Sequence, residues 1–310
     1  MMQELEQTGL PPIDQAEPLP FPFNQRTFCR FEPIEKRIDT ARVLIVDDLL
    51  RDRNDLSDVA LAEWGRRTDT YLQRERKIAG MAVGNISNNI ARLVRRPETQ
   101  VAHLSEVADA ATDFRPEAIV LSGTLSDFDL YSPALLNRFA QFVVSTRTPV
   151  LGICGGHQLI GLSFGAHIQT LDKQEQHENR ARRPFEYQYR FIRITDTDDP
   201  IFQGIHDPQT GIWQDYTTEA RILRVWQNHG LQLDRVPEGF KLLATAYFCR
   251  NQMMVKRTAG QLIYTVQFHL EKSFEDYDRT RATRWEHPNE SRDGRIIFEN
   301  FLKLALRHEQ

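Results

Sequence analysis

The chain has 310 residues, with 39 basic and 43 acidic side chains for a formal charge of −4, 40% hydrophobic and 26% charged residues. That balance belongs to a soluble globular protein of one large or two smaller domains and excludes collagenous and disordered classes. A mean hydropathy of −0.50 and the lack of any uninterrupted apolar run of about eighteen residues exclude a bilayer-spanning helix. A pI near 6.2, with no basic run beyond pairs such as Arg95-Arg96 and Arg182-Arg183, speaks against nucleic acid as a partner.

The opening Met1-Met2-Gln3-Glu4-Leu5-Glu6 is acidic and has no apolar core, so no secretory signal is read there. Residues 1–40 carry Pro11, Pro12, Pro18, Pro20, Pro22 and Pro33 among acidic residues, and are expected to form an extended or mobile arm. Residues 41–310 read as one domain. Its first strand is Arg42-Val43-Leu44-Ile45-Val46-Asp47-Asp48, a β-branched run buried on both faces. Residues 49–82 look like a charged insertion that could form a surface helix. Apolar spacing then predicts helices over 85–94 and 133–144, and strands over 100–104, 118–122, 150–153, 190–194 and 262–268. Residues 172–189 and 275–294 are polar and are read as further insertions. Alternating strands and helices predict an α/β fold with a mostly parallel sheet and helices on both faces.

The chemistry concentrates at two places. After the strand Val150-Leu151-Gly152-Ile153 comes Cys154-Gly155-Gly156-His157-Gln158, a Gly-x-Cys-x-Gly turn opening a helix, which is the pattern of a nucleophile elbow. Small residues flank such a nucleophile because the turn is sharp, and the partial positive charge at the helix N-terminus favours an anionic nucleophile and oxyanion. The N–H of Gly155 is a candidate oxyanion donor. Alternatives are a packed core thiol or a phosphate-binding loop. The second place is Val266-Gln267-Phe268-His269-Leu270-Glu271: on an extended chain His269 and Glu271 share a face, so the carboxylate can orient the imidazole. Cys29, Cys154 and Cys249 are widely separated and form no Cys-x-x-Cys, so neither a disulfide framework nor a metal site is indicated, and a reducing cytoplasm fits.

Taken in order, Ala118–Gly123, Gly152–Gly161, Val225–Gly230 with Val236–Phe240, and Val266–Glu271 resemble the blocks of class I glutamine amidotransferases, most of all the glutaminase domain of GMP synthetase. The resemblance implies a flavodoxin-like fold with no cofactor, Cys154 as nucleophile, His269 as general base and then acid, and Glu271 as its orienting partner. It also implies an oxyanion hole from Gly155 and the loop at Gly123-Thr124, and a substrate site formed by Gln158, Asn228, His229 and Gly230. The implied substrate is L-glutamine or a related γ-glutamyl compound, and the ammonia would pass to a separate synthetase or ligase. A stand-alone γ-glutamyl hydrolase, or a non-catalytic binding protein of the same fold, are the alternatives. Three departures stand out: Thr124-Leu125 replaces a glycine-proline pair, which predicts a strained oxyanion loop; Leu270 replaces proline; and Asn228 stands where serine is usual. His157 is expected to face a neighbouring helix or solvent, and the run 177–183 to be a solvated loop or to face a partner or anionic acceptor.

Overall fold

The computed structural model describes residues 34–178, 180–205, 222–272 and 292–308. The residues read as a proline-rich arm up to position 33, and most of the insertion at 275–294, lie outside the described residues. Strand β1 (Ile38–Asp47) starts within the stretch read as arm. It is followed by the short α1 (Asp58–Trp64), which Ser57 caps by accepting from the Ala60 N–H, and by α2 (Thr68–Leu93), β2 (Val94–His103), α3 (Val107–Phe114) and β3 (Ala118–Leu121). Next come α4 (Pro133–Ser145), β4 (Val150–Ile153), α5 (Gly155–Ser163), β5 (Ile168–Thr170), β6 (Glu186–Ile194), β7 (Ile222–His229) and β8 (Leu231–Leu233). Strands β9 (Lys241–Thr245), β10 (Met253–Arg257) and β11 (Leu262–Val266) precede the final described helix, α6 (Arg292–Ala305).

Nine strands form one sheet in the order β2-β1-β3-β4-β11-β10-β9-β6-β7. Its first five strands are mutually parallel, and β10, β9, β6 and β7 continue it antiparallel. Because side chains alternate along a strand, Val43 and Ile45 enter the core on one face and Leu44 and Val46 the core on the other. The first core is closed by Ile86, Ile90 and Leu93 of α2 and by Ile297, Phe298, Phe301 and Leu302 of α6. The second is closed by α1, α3, α4 and α5, through residues such as Trp64, Val107, Phe139 and Ile160. The fold is therefore α/β with helices on both faces.

The reading of 49–82 as a surface insertion needs correction in one respect. Helix α2 begins inside it and runs continuously into the helix expected from residue 85, burying Leu72, Glu75 and Ala79 on the way. Its many charges hide the apolar face, since Arg74, Arg76 and Lys77 flank the buried Glu75. Glu75 accepts from Ser126 Oγ at 2.5 Å and from the Leu50 N–H at 3.3 Å. Burial raises its carboxyl to about 7, assisted by Asp47 and opposed by these hydrogen bonds and Arg74. A carboxyl that ionises less readily folded than unfolded loses stability for the fold as pH climbs from 4.5 to about 7, a change of roughly 3 kcal/mol. Glu75→Gln is expected to match the wild type in thermal denaturation at pH 4.5 and to melt several degrees higher at pH 8. Parallel melting curves at both pH values would contradict that assignment.

Candidate active site

Three neighbouring parallel strands, β3, β4 and β11, end at the same edge of the sheet, the place where open α/β sheets hold ligands. Each delivers one part of the site. β4 stops at Ile153 and the chain turns through Cys154 into α5. Cys154 has φ 51° and ψ −99°, a conformation non-glycine residues rarely adopt. It is held there by its N–H donating to Val266 O at 2.8 Å, and by the Gln158 N–H donating back to Cys154 O at 3.1 Å. The flanking glycines are required by contact: a Cβ on Gly152 would lie 2.7 Å from Gly156 O, and one on Gly156 2.7 Å from Leu121 Cβ. The thiol is nearly buried, at 6% exposure of the residue.

Strand β11 runs beside β4 and continues as Gln267-Phe268-His269. His269 Nδ1 lies 2.7 Å from Glu271 Oε1, so the pair sharing a face in the sequence is joined in space. Burial pulls the imidazole's pKa down, but the Glu271 carboxylate and the adjacent Cys154 outweigh it and raise it to about 10. Glu271 is pushed up by burial, yet His269 holds it below the ordinary carboxylate value. His269 Nε2 is buried, faces Cys154 and, among the described residues, has no further hydrogen-bond partner. Nε2 is thus the ring nitrogen placed to exchange a proton with a group held at Cys154.

Strand β3 ends in Ser122-Gly123-Thr124. A Cβ on Gly123 would sit 3.3 Å from His269 Cε1, 3.5 Å from Cys154 Cβ and 4.0 Å from the Gly155 nitrogen, so this loop forms a wall of the same small space. The strain expected at Thr124 is absent: its φ is not positive, and the loop is shaped instead by contact with Gly155. A Cβ on Gly155 would collide with the backbone nitrogen and Oγ1 of Thr124 and come within 2.5 Å of its Cγ2. Gly155→Ala is therefore expected to push the 123–124 loop away and, if that loop supplies an oxyanion donor as the sequence resemblance implies, to lower turnover by roughly 10²–10³. An alanine variant with unchanged turnover would separate Thr124 from the chemistry.

The fourth part arrives from the far end of the sheet. Although β7 is last in strand order, Trp226 forms an isolated antiparallel bridge with His269, whose N–H donates to Trp226 O at 2.8 Å. The β6-β7 ribbon thus folds back and brings Asn228 O to 4.0 Å from Cys154 Sγ. His229 is buried, with Nδ1 3.0 Å from Leu231 O and Nε2 3.2 Å from Glu186 Oε2, so its ring supports the strand end. Gln158 is also buried. Its Nε2 donates to Leu231 O at 2.9 Å and to Gln267 Oε1 at 3.0 Å, leaving only its carbonyl oxygen for a ligand.

Gln267 lies outside the set of residues that the sequence points to. Its Nε2 donates to Cys154 Sγ at 3.8 Å, making a chain from Gln158 through Gln267 to the sulfur. A signal for it exists: position 267 lies two before His269 on the same extended run. Two other expectations are corrected. His157 faces neither solvent nor an open helix groove; it is fully buried with Nδ1 2.7 Å from Thr265 Oγ1, and burial together with His229 lowers its pKa to about 3. The run 177–183 is not a freely solvated loop, because Arg180 and Arg183 are ion-paired to Asp127 and Asp129. Among the described residues, no cluster of three or more His, Cys, Asp and Glu side chains is placed to hold a metal, and no helix is long and apolar enough to cross a membrane.

The family model for Glutamine amidotransferase class-I matches residues 82–284. A protein named as one of the subunits of GMP synthase [glutamine-hydrolyzing], from Thermococcus kodakarensis, is 32% identical over 193 residues, covering 62% of this chain and 77% of that one. GMP synthase [glutamine-hydrolyzing] from Ralstonia pickettii is 31% identical over 194 residues, 60% of this chain but 31% of the relative, and the chain likewise spans only about a quarter to a third of other such synthases. The crystal structure of a candidate GMP synthase subunit from Thermoplasma acidophilum shares the fold, with a TM-score of 0.51, 20% identity, and coverage of 86% of this chain and 94% of that one. With the matched segment spanning the elbow, the 123–124 loop and the His-x-Glu strand end, the chain belongs to the class I glutamine amidotransferase family.

Proposed function

We propose that the chain hydrolyses the side-chain amide of L-glutamine through a thioester on Cys154 and yields ammonia for a separate synthetase or ligase. The observation carrying this reading is the convergence of Cys154, the His269-Glu271 pair and the 123–124 loop at the ends of three adjacent parallel strands. The Cys154 thiolate, its proton held on His269, attacks the amide carbon, forming the C–S bond while the carbonyl electrons move to oxygen. That oxyanion is met by the N–H of Gly155 and one from the Gly123-Thr124 loop. Because its pKa is raised to about 10, His269 rests as an imidazolium at neutral pH and carries the proton the departing nitrogen needs. The C–N bond breaks as ammonia leaves; His269, now neutral, takes a proton from water, which attacks the thioester and releases glutamate with the thiolate restored.

The substrate follows from the likeness to relatives named as glutamine-hydrolysing GMP synthases, and the separate acceptor from the likeness to a relative named as a single subunit of such a synthase. Within the site, the backbone at Asn228 and the carbonyl of Gln158 are the groups proposed to meet the amino-acid end of glutamine, with His229 and Gly230 shaping that wall. Release of glutamate and ammonia from L-glutamine by the purified chain, compared with a γ-glutamyl dipeptide, tests the reading. Preferential turnover of glutamine supports it. Preference for the dipeptide moves the assignment to a γ-glutamyl hydrolase, and a Cys154 that neither turns over substrate nor reacts with an electrophilic glutamine analogue removes catalysis altogether.

A further inference from the structure

Residues 176–178 and 180–186 cross between the two walls of the site. On the oxyanion side they hold residues 127–129, which follow the Gly123-Thr124 loop. Gln176 Oε1 accepts from the Phe128 N–H at 2.9 Å, and Arg180 donates to Asp129 at 2.6 Å, to Glu63 at 3.2 Å and to Asp127. Arg183 grips Asp127 with both ends of its guanidinium, Nη1 to Oδ2 at 2.9 Å and Nη2 to Oδ1 at 2.7 Å. Asp127 itself is 3% exposed, so this bidentate pair lies largely out of water, where geometry and charge both count. On the substrate side the same arginine reaches the end of the β7 strand: a Cβ on Gly230 would fall 3.1 Å from Arg183 Nε, 3.0 Å from Phe185 and 3.2 Å from Pro184 O. Two residues earlier is Asn228, whose carbonyl faces the sulfur of Cys154. Glu186 completes the tie from the segment's other end through His229.

We propose that Arg183 is a positioning residue for glutamine, a tie that fixes the spacing between the oxyanion-side wall at 123–127 and the substrate-side wall at 228–230. The tie rests on the glutaminase reading of the site for the identity of the ligand. The physical reason for a rigid tie is that both walls are loops at strand ends, carrying hydrogen-bonding backbone groups that are useful only at one separation. A displacement of about 1 Å in such a site is enough to cost up to roughly 10² in rate. Lysine cannot reproduce the planar two-pronged grip, so Arg183→Lys is expected to behave nearly as Arg183→Gln does. In Arg183→Gln the buried Asp127 keeps Arg180 as its ion partner, so the fold survives the change.

The experiment compares labelling of Cys154 by two electrophiles in the full chain: iodoacetamide, which needs only the thiol, and 6-diazo-5-oxo-L-norleucine, which must first fit as glutamine does. Arg183→Gln, Arg183→Lys and Asp127→Asn are each expected to slow labelling by the glutamine analogue roughly tenfold or more, and to raise KM for glutamine more than they lower kcat. Labelling by iodoacetamide should stay within about twofold of wild type, a split that general loosening of the fold would not produce. The double variant of Arg183→Gln with Asp127→Asn should be little worse than Asp127→Asn alone, because that change already removes the Arg183 tie. Equal slowing by both reagents, or no slowing by either, overturns the proposal. A wild type labelled by the analogue with variants indistinguishable from it overturns the tie alone, whereas a wild type that the analogue does not label overturns the glutaminase reading with it.

Discussion

Cys154→Ala is expected to lower glutamate release from L-glutamine by at least about 10⁴-fold while leaving the fold intact, since removing a nucleophile that works with a paired base takes away the covalent route altogether. The residue stands at φ 51° and ψ −99°, where an L side chain of any kind is strained by about 1–3 kcal/mol. Alanine keeps that strain and loses only the sulfur, so its melting temperature should stay near wild type. Glycine at the same position loses the sulfur and the strain together. Cys154→Gly should therefore be as inactive as Cys154→Ala but more stable than it, by about 1 kcal/mol after glycine's own entropic cost is set against the relief. Denaturant melts of the two variants beside the wild type check this. A glycine variant less stable than the alanine one would mean that the turn is not strained in solution.

Replacing Glu271 by glutamine acts on the base rather than on the nucleophile, and its effect is a pH effect. In the folded chain the carboxylate is the main influence raising His269, against burial, from 6.5 to about 10. The stability contributed by that raised pKa is fully present below 6.5 and is lost as pH rises through about 10. Without the carboxylate, burial prevails over the remaining contacts and the imidazole becomes neutral at physiological pH. Glu271→Gln should then cost roughly 10²–10⁴ in kcat for glutamine at pH 7.5, the range seen when an orienting acid in a triad is neutralised. The alkaline limb of its pH–rate profile should move several units toward acid. Its stability should also lose the decline expected of the wild type as pH rises toward 10. A variant that is slower by the same factor at every pH would show that Glu271 orients the ring without setting its proton affinity.

How far each part of the site can be read in advance depends on the range of the contact that makes it. The elbow is legible because a strand, a glycine on either side of Cys154 and a following helix are local features, and the clashes that forbid a Cβ at 152 and 156 come from that same turn and the strand beside it. His269 and Glu271 are legible because two-residue periodicity puts them on one face wherever the strand goes, and they meet at 2.7 Å. Strands β1, β3, β4 and β11 are within reach for a related reason: their apolar runs reflect burial on both faces of a parallel sheet, whereas β2 is charged and mostly exposed and only its end reads as a strand. Strands β9 and β10 escape the sequence reading, since short segments such as Lys241–Thr245 and Met253–Arg257 carry little pattern of their own and are defined by their partners.

What the residues determined by themselves is thus the fold class, the nucleophile turn and the histidine with its acid, all set by periodicity and backbone sterics within a few positions. What only the tertiary structure decided is everything that depends on which distant segments meet. Gln267 reaches the sulfur because β11 lies beside β4, and Glu75 is drawn to Ser126 from a helix whose charges read as a surface. Arg183 changes from a solvated charge into a tie between two walls because Asp127, 56 positions away, is buried within its reach. An ion pair of that kind has no local signature: its desolvation cost, and the burial and two-pronged geometry that offset it, exist only once the chain has folded.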